Sequence, residues 1–329
     1  MKANILFEHL IAKKDLNAHQ MQEVIQACMS GAFNDLHIGT FLALMRMKGE
    51  TAEELSAAAQ IMQQLAKPID LGTNLIDIVG TGGDNKNTFN VSTACSFVVA
   101  AAGIPVAKHG NRSVSSSSGS ADLLEQAGFM LNLSNSALQT CINQCGLAFL
   151  FAPHYHPAMQ QVRTARQQLG IRTLFNLLGP LINPARAKRQ VVGVFSSIWL
   201  KPLSEVLVNL GSERHLVLSS EDGLDEISIA SLTPVFEYHN GRSHEWVINP
   251  SDYGLRHDSL NGIIVDSPGK SLKMIQAVFA GTKGAAADMV ILNSAAAIYC
   301  AQDALSFDSA LEIAKKTISS GKAGECFNT

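Results

Sequence analysis

Residues able to hold an anion gather at two places in the chain. The run Gly80-Thr81-Gly82-Gly83-Asp84 follows Leu75-Ile76-Asp77-Ile78-Val79, which reads as a short buried strand, and precedes a helical pattern that begins near Val91. Backbone N–H groups with no side chain in front of them can approach a phosphate closely in such a turn. The spacing is not GxGxxG and no Gly-Lys-Ser/Thr follows, which counts against dinucleotide and P-loop sites. The second place is Lys108-His109-Gly110-Asn111-Arg112 and the serine run from Ser113 to Ser120. Here Lys108 and Arg112 supply charge, the hydroxyls supply donors, and Ser120 is expected to cap the next helix. A glycine cluster by itself makes a tight turn and a serine run by itself a solvated linker. Two such loops, each at a strand-to-helix junction, suit a ligand phosphorylated at both ends.

Three carboxylates stand within the five residues Asp222-Gly223-Leu224-Asp225-Glu226. The plain alternative is an exposed acidic turn. Hard oxygen donors beside phosphate loops instead suit Mg2+, which takes one or two protein carboxylates and completes its shell with water and substrate phosphate. His109, His154 and His156 lack zinc spacing, since His154-Tyr155-His156 is not a helical pair and no HExxH is present. Gly-x-Ser-x-Gly is absent and no cysteine sits in a nucleophile motif, so covalent catalysis has no support. Arg163, Arg166 and Arg172 fall on a helix and just past it, where a planar carboxylate substrate would favour one of them.

The elements that must position these residues alternate in type. From Ile5 to about Lys67 the apolar spacing is helical throughout and fits four short helices, the last opened by a Thr51/Glu54 capping box. Strand candidates at 75–79, 106–108, 147–151, 190–195 and 216–219 alternate with helical stretches at 91–102, 121–127, 137–145 and 200–210, the grammar of an α/β body. Residues 157–178 are helical and polar again, and are expected to rejoin the helical unit before Gly179-Pro180 and Asn183-Pro184 break the chain. Two later strands, 235–239 and 244–248, meet at Asn240-Gly241, a strong hairpin signal. The fold class expected is α/β: a small all-helical domain of residues 1–70, completed by about 157–182, and a large α/β domain of 71–156 and 183–329 with a central, mostly parallel sheet.

At 329 residues, 47% of them apolar and 16% charged, the chain is too long for one core and too hydrophobic for disorder. A net charge of −3 with dispersed Lys and Arg offers no field for nucleic acid. The longest apolar stretch, 97–107, is too short to span a membrane and holds Gly103 and Pro105. Early charges at Glu8, Lys13, Lys14 and Asp15 interrupt any signal-peptide core, and six scattered cysteines read as reduced thiols. A cytoplasmic protein is expected. No fixed-period repeat is visible.

Taken in order, Gly80-Thr81-Gly82-Gly83-Asp84, Asn90-Val91-Ser92-Thr93, Lys108 to Arg112, Ser118-Gly119-Ser120-Ala121-Asp122, Arg172 to Pro180 and Asp225-Glu226 resemble the anthranilate phosphoribosyltransferases, within the class that also holds nucleoside phosphorylases. Phe41 to Thr51 is similar to that family's third helix and turn. The resemblance implies two hinged domains, a homodimer formed through the helical one, Mg2+, and transfer of phosphoribosyl from phosphoribosyl pyrophosphate to the amine of anthranilate in tryptophan biosynthesis. It implies a donor site of Gly80, Thr81, Gly82, Gly83, Asp84, Thr88, Asn90, Val91, Ser92, Thr93, Lys108, Ser116, Ser117, Ser118 and Gly119. Magnesium would fall to Ser92, Asp225 and Glu226, and anthranilate to Gly80, His109, Asn111, His156 and Arg166, with Arg166 on the carboxylate. Asp222 is left to a supporting role. The chain departs from the family at Ser117, where Lys is frequent, at Thr164-Ala165, where Pro-Val is, and at His154, where Asn is. The reaction implied is inverting displacement at the anomeric carbon, with no obligatory base and His109 as a weak candidate for one.

Two rivals of the same fold are a pyrimidine nucleoside phosphorylase and a non-catalytic relative that binds nucleic acid. The serine loop and Asp225-Glu226 argue against the first, the acidic balance and intact loops against the second. A purely structural helical dimer is disfavoured by the complete set of polar loop residues.

Overall fold

The computed structural model describes residues 1–113 and 117–329. Four helices open the chain: α1 (Ala3–Ile11), α2 (Ala18–Met29), α3 (Asp35–Lys48) and α4 (Ala52–Leu65). Asn17, Asn34 and Thr51 cap the last three, and Thr51 with Glu54 completes the expected capping box. Then come β1 (Ile76–Gly80), α5 (Val91–Ala101), β2 (Val106–Gly110), α6 (Ser120–Gln126), α7 (Asn135–Cys145) and β3 (Leu147–Phe151). The polar stretch that follows folds as α8 (Ala152–Tyr155), α9 (Arg163–Leu169) and α10 (Leu174–Leu178). The chain continues with β4 (Arg189–Gly193), α11 (Leu200–Asn209), β5 (Arg214–Leu218) and the hairpin β6 (Thr233–His239) and β7 (Arg242–Ile248). Asn240 and Gly241 both take positive φ, as a two-residue hairpin turn requires. Four helices close the chain: α12 (Pro268–Phe279), α13 (Ala285–Ala301), α14 (Phe307–Ser319) and α15 (Lys322–Asn328).

The strands form one seven-stranded sheet in the order β3-β2-β1-β4-β5-β6-β7. The first five are parallel and the hairpin is antiparallel, so the sheet is mixed and mostly parallel. Sequence order reverses between β1 and β4, and the crevice outside the carboxyl ends of strands at such a switch point is where ligands collect. The two faces bury different neighbours, as a period of two demands. Ile76, Ile78, Val191, Leu216 and Leu218 pack with α5, α13 and α14. Val192, Val194 and Val217 face the other way, into a core shared with α1 to α4 and with Val162, Ala165, Leu174 and Phe175 of the 152–182 insert. That insert therefore packs on the helical bundle while its ends remain tied to β3 and β4.

Candidate active site

The glycine turn leaves β1 at the switch point and is fixed by the acidic pair from the loop after β5. Gly82 donates its N–H to Asp225 Oδ2 at 2.6 Å, and the Ser92 N–H at the start of α5 donates to Glu226 Oε1 at 3.1 Å. Gly80 and Gly193 are register partners on β1 and β4. A Cβ on Gly80 would stand 2.3 Å from Asp225 Oδ2, and one on Gly193 1.6 Å from the Asp225 carbonyl oxygen. Two side-chain-free strand ends are thus the floor on which the carboxylate loop rests. From α13, Asn293 accepts the Ile227 N–H and donates to the Ile227 carbonyl, both at 2.9 Å, which holds the other end of that loop.

Lys108 and His109 are neighbours on β2 and so point to opposite faces. Lys108 is buried on the α5 side, donating to the Ile78 carbonyl at 2.6 Å and to Ser92 Oγ at 3.2 Å. Burial lowers its pKa, against the pull of Asp77, Cys95 and Glu226. Burial likewise pushes Asp225 up to about 7, helped by the neighbouring Asp84, and raises Glu226, helped by Asp225 and Asp84. Glu226 Oε2 is buried without a partner. Hard oxygen donors whose repulsion is unrelieved fit a divalent cation. Among the described residues no group of three or more His, Cys, Asp or Glu is arranged to hold a metal alone. An ion here would complete its shell with the Ser92 hydroxyl and ligand oxygens, which suits Mg2+ better than zinc.

Ser117 and Ser118 are brought to the same corner. Ser118 Oγ donates to Asn90 Oδ1 at 2.7 Å, Asn90 Nδ2 donates to the Ser118 carbonyl at 3.0 Å, and Ser271 of α12 joins both through Asn90. Ser117 donates its hydroxyl to the Val265 carbonyl. Thr88 forms a bridge to Ile264, close to that contact. Ser116 lies outside the described residues. Ser120 is not the cap of α6: the chain enters through Gly119, whose N–H, like that of Ser113, is accepted by Asp122 Oδ2, and Ser120 is the first helical residue. Arg112 pairs with Asp122 and Glu125. Val91 contributes core packing, its own N–H being held by the Phe89 carbonyl at 2.7 Å.

On the opposite face His109 meets His156, with ring centroids 5.2 Å apart. Burial depresses them to about 3 and about 4. Both rings are neutral near pH 7, both have Nε2 buried without a partner, and so do the Oγ1 atoms of Thr81 and Thr93. A neutral, nearly unprotonatable imidazole is a poor proton acceptor, so His109 is better read as lining than as base. Asn111 takes the Arg112 N–H and, through its carbonyl, the Ala121 N–H. The Arg166 guanidinium lies over Phe175 of the insert, 5.5 Å from the ring centroid, without hydrogen-bonding the histidine pair. Asp222 accepts from Ser228 Oγ and from the Leu224 N–H, a loop-stabilising role.

Several partners were not readable from motifs. Asp77, on the His109 face of β1, accepts the His109 N–H at 3.2 Å and Asn183 Nδ2 at 2.8 Å. Asn183 also binds the Ala107 carbonyl, so the point where the insert returns to β4 is fastened to β2. Asn183-Pro184 carried only a breaker signal, and Gly193 and Asn293 carried none.

Residues 5–66 match the glycosyl transferase family helical bundle domain, and residues 72–324 the glycosyl transferase family a/b domain. The chain is 71% identical over 328 residues to the anthranilate phosphoribosyltransferase of Legionella pneumophila (strain Paris), covering 100% of this chain and 95% of that protein. It superposes on the crystal structure of anthranilate phosphoribosyltransferase from Thermus thermophilus with a TM-score of 0.91 and 37% identity, over 98% of this chain and 97% of that one. It also matches the Saccharomyces cerevisiae anthranilate phosphoribosyltransferase solved in complex with PRPP and Mg, with a TM-score of 0.89 and 26% identity, over 99% and 96% of the two chains.

Proposed function

The chain belongs to the anthranilate phosphoribosyltransferase family and is a phosphoribosyltransferase of tryptophan biosynthesis, and we propose that its reaction runs at the corner between β1, β2 and the 152–182 insert. The pyrimidine phosphorylase and nucleic-acid readings are set aside by that membership. The single observation that carries the assignment of the site is the meeting of the glycine turn, Ser92, Lys108 and the Asp225-Glu226 pair through direct hydrogen bonds.

The donor, phosphoribosyl pyrophosphate, is held by the glycine turn, by Thr88 and Asn90 to Thr93, by Lys108 and by the serine loop. Mg2+ on Ser92, Asp225 and Glu226 neutralises the departing pyrophosphate when bound. Anthranilate lies against Gly80, His109, Asn111 and His156, with Arg166 swinging to its carboxylate as the insert closes. The ribose C1–O bond to pyrophosphate breaks as the amine nitrogen bonds to C1 from the opposite face, and the ammonium proton leaves afterwards to water. An aniline-type nitrogen is neutral at pH 7, so no base is required, which accords with the depressed pKa of His109. Neutral His109 and His156 instead line the acceptor side and leave the carboxylate to arginine.

Residues 1–70 with 157–182 form the closing helical body, and 71–156 with 183–329 the donor-holding body. Exposed Ile5 and Ile11 of α1 and Leu36 and Met47 of α3 support a homodimer through the helical body. Six free cysteines and a role in tryptophan biosynthesis support a cytoplasmic enzyme, and no helix among the described residues is long and apolar enough to cross a membrane. The direct test mixes the protein with phosphoribosyl pyrophosphate, Mg2+ and anthranilate and follows the loss of anthranilate fluorescence. Asp225→Asn with Glu226→Gln is expected to abolish metal-dependent turnover; near-normal activity would put the metal elsewhere.

A further inference from the structure

Arg172 belongs to the insert, and the reaction as drawn leaves it unused. It follows α9, yet its Nη2 donates to the carbonyl oxygen of Gly83 on the donor turn. Its guanidinium lies over the Phe195 ring, 4.3 Å from the centroid. Phe195 stands just beyond β4, so one side chain joins the insert, the glycine turn and the end of a strand. The fit is close: a Cβ on Gly83 would stand 3.1 Å from Arg172 Nε. Gly82 and Gly83 have φ of +66° and +77°, two successive left-handed residues. Their N–H end is held by Asp225 and their C=O end by Arg172. Glycine loses the most backbone freedom on ordering, so a turn that must aim N–H groups at phosphate depends on such outside clamps.

We propose that Arg172 is a positioning residue for the phosphoribosyl donor: reaching from the insert, with Phe195 as its platform, it fixes the Gly82-Gly83 turn and so links seating of the insert to donor affinity. The inference rests on the reading that this turn holds the donor. Arginine suits the task because a planar guanidinium stacks and donates at once, whereas lysine can only donate.

The test measures the dissociation constant for phosphoribosyl pyrophosphate with Mg2+ by calorimetry, together with both Michaelis constants, in Arg172→Ala, Arg172→Lys, Phe195→Leu and Gly82→Val. Loss of a charge-assisted hydrogen bond predicts about tenfold weaker donor binding in Arg172→Ala. The Michaelis constant for anthranilate and the thermal midpoint are expected to stay near those of the parent. Lysine is expected to restore only part of the affinity, and Phe195→Leu to fall between parent and Arg172→Ala. The proposal is overturned by unchanged donor affinity in Arg172→Ala, by full rescue with lysine, or by equal loss for both substrates with a lowered midpoint, the mark of a merely structural role. Gly82→Val separates the two layers. Intact donor binding there sinks the underlying site; lost binding there with normal binding in Arg172→Ala sinks only the role of Arg172.

Discussion

Replacing Gly193 by alanine tests whether the floor of the carboxylate loop is as tight as its geometry implies. The added Cβ would sit 1.6 Å from the Asp225 carbonyl oxygen and 2.5 Å from its carbon. Ordinary contact requires about 3.5 Å, so the Asp225 peptide must move by roughly 2 Å. Backbone cannot yield as a side-chain tip does, and the shift breaks the Gly82–Asp225 hydrogen bond and draws Glu226 from the Ser92 N–H. Overpacking of this kind costs about 1–3 kcal/mol of stability, and misplacement by an ångström at a reacting centre costs about a hundredfold in rate. The expected result is a kcat/KM lower by about two orders of magnitude in the fluorescence assay, with a thermal midpoint lowered by only several degrees. Gly269→Ala is the control, because nothing lies within 4 Å of its Cβ, and it should behave as the parent. Full activity in Gly193→Ala would refute the claim that the glycine pair seats the metal carboxylates.

Arg166→Ala is expected to raise the Michaelis constant for anthranilate by about tenfold or more while donor binding is kept, and an unchanged acceptor constant would reassign the carboxylate partner. Removal of Mg2+ with a chelator should stop turnover reversibly, recovery on adding Mg2+ back being the readout. His215, buried between the hydroxyls of Ser204 and Ser212, is pushed by burial from 6.5 down to about 3. Between those values the unfolded chain binds the proton and the folded one does not, so this stability is complete above pH 6.5 and is lost as pH falls. Denaturant unfolding should show the advantage of the parent over His215→Gln shrinking by about 1.4 kcal/mol per pH unit below about pH 6, and a constant difference would contradict the burial argument.

How far the sequence reveals this structure depends on the distance over which a residue acts. The capping box at Thr51, the strand into Gly80 and the Asn240-Gly241 turn are local, set by neighbours within a few residues, and each forms as expected. The two anion loops and the acidic pair were visible because their chemistry is concentrated in short runs. What stayed hidden depends on sheet order. Gly193 becomes a floor only because β4 lies beside β1, and Asp77 reaches Asn183 only because the insert returns to the sheet beside β1 and β2. The cap of α6 falls on Gly119, one residue before Ser120, with Asp122 reaching back to the Gly119 N–H, and Arg112 pairs with Asp122 and Glu125, carboxylates ten and thirteen residues further along.

The most direct measurement is a crystal structure with phosphoribosyl pyrophosphate and Mg2+ bound together. One continuous ligand is expected: pyrophosphate against Gly82-Gly83 and Lys108, the ion on Ser92, Asp225 and Glu226, and the anomeric carbon facing His109 and His156. A sugar lying in a cavity apart from Glu226, or an ion bound away from the glycine turn, would contradict it.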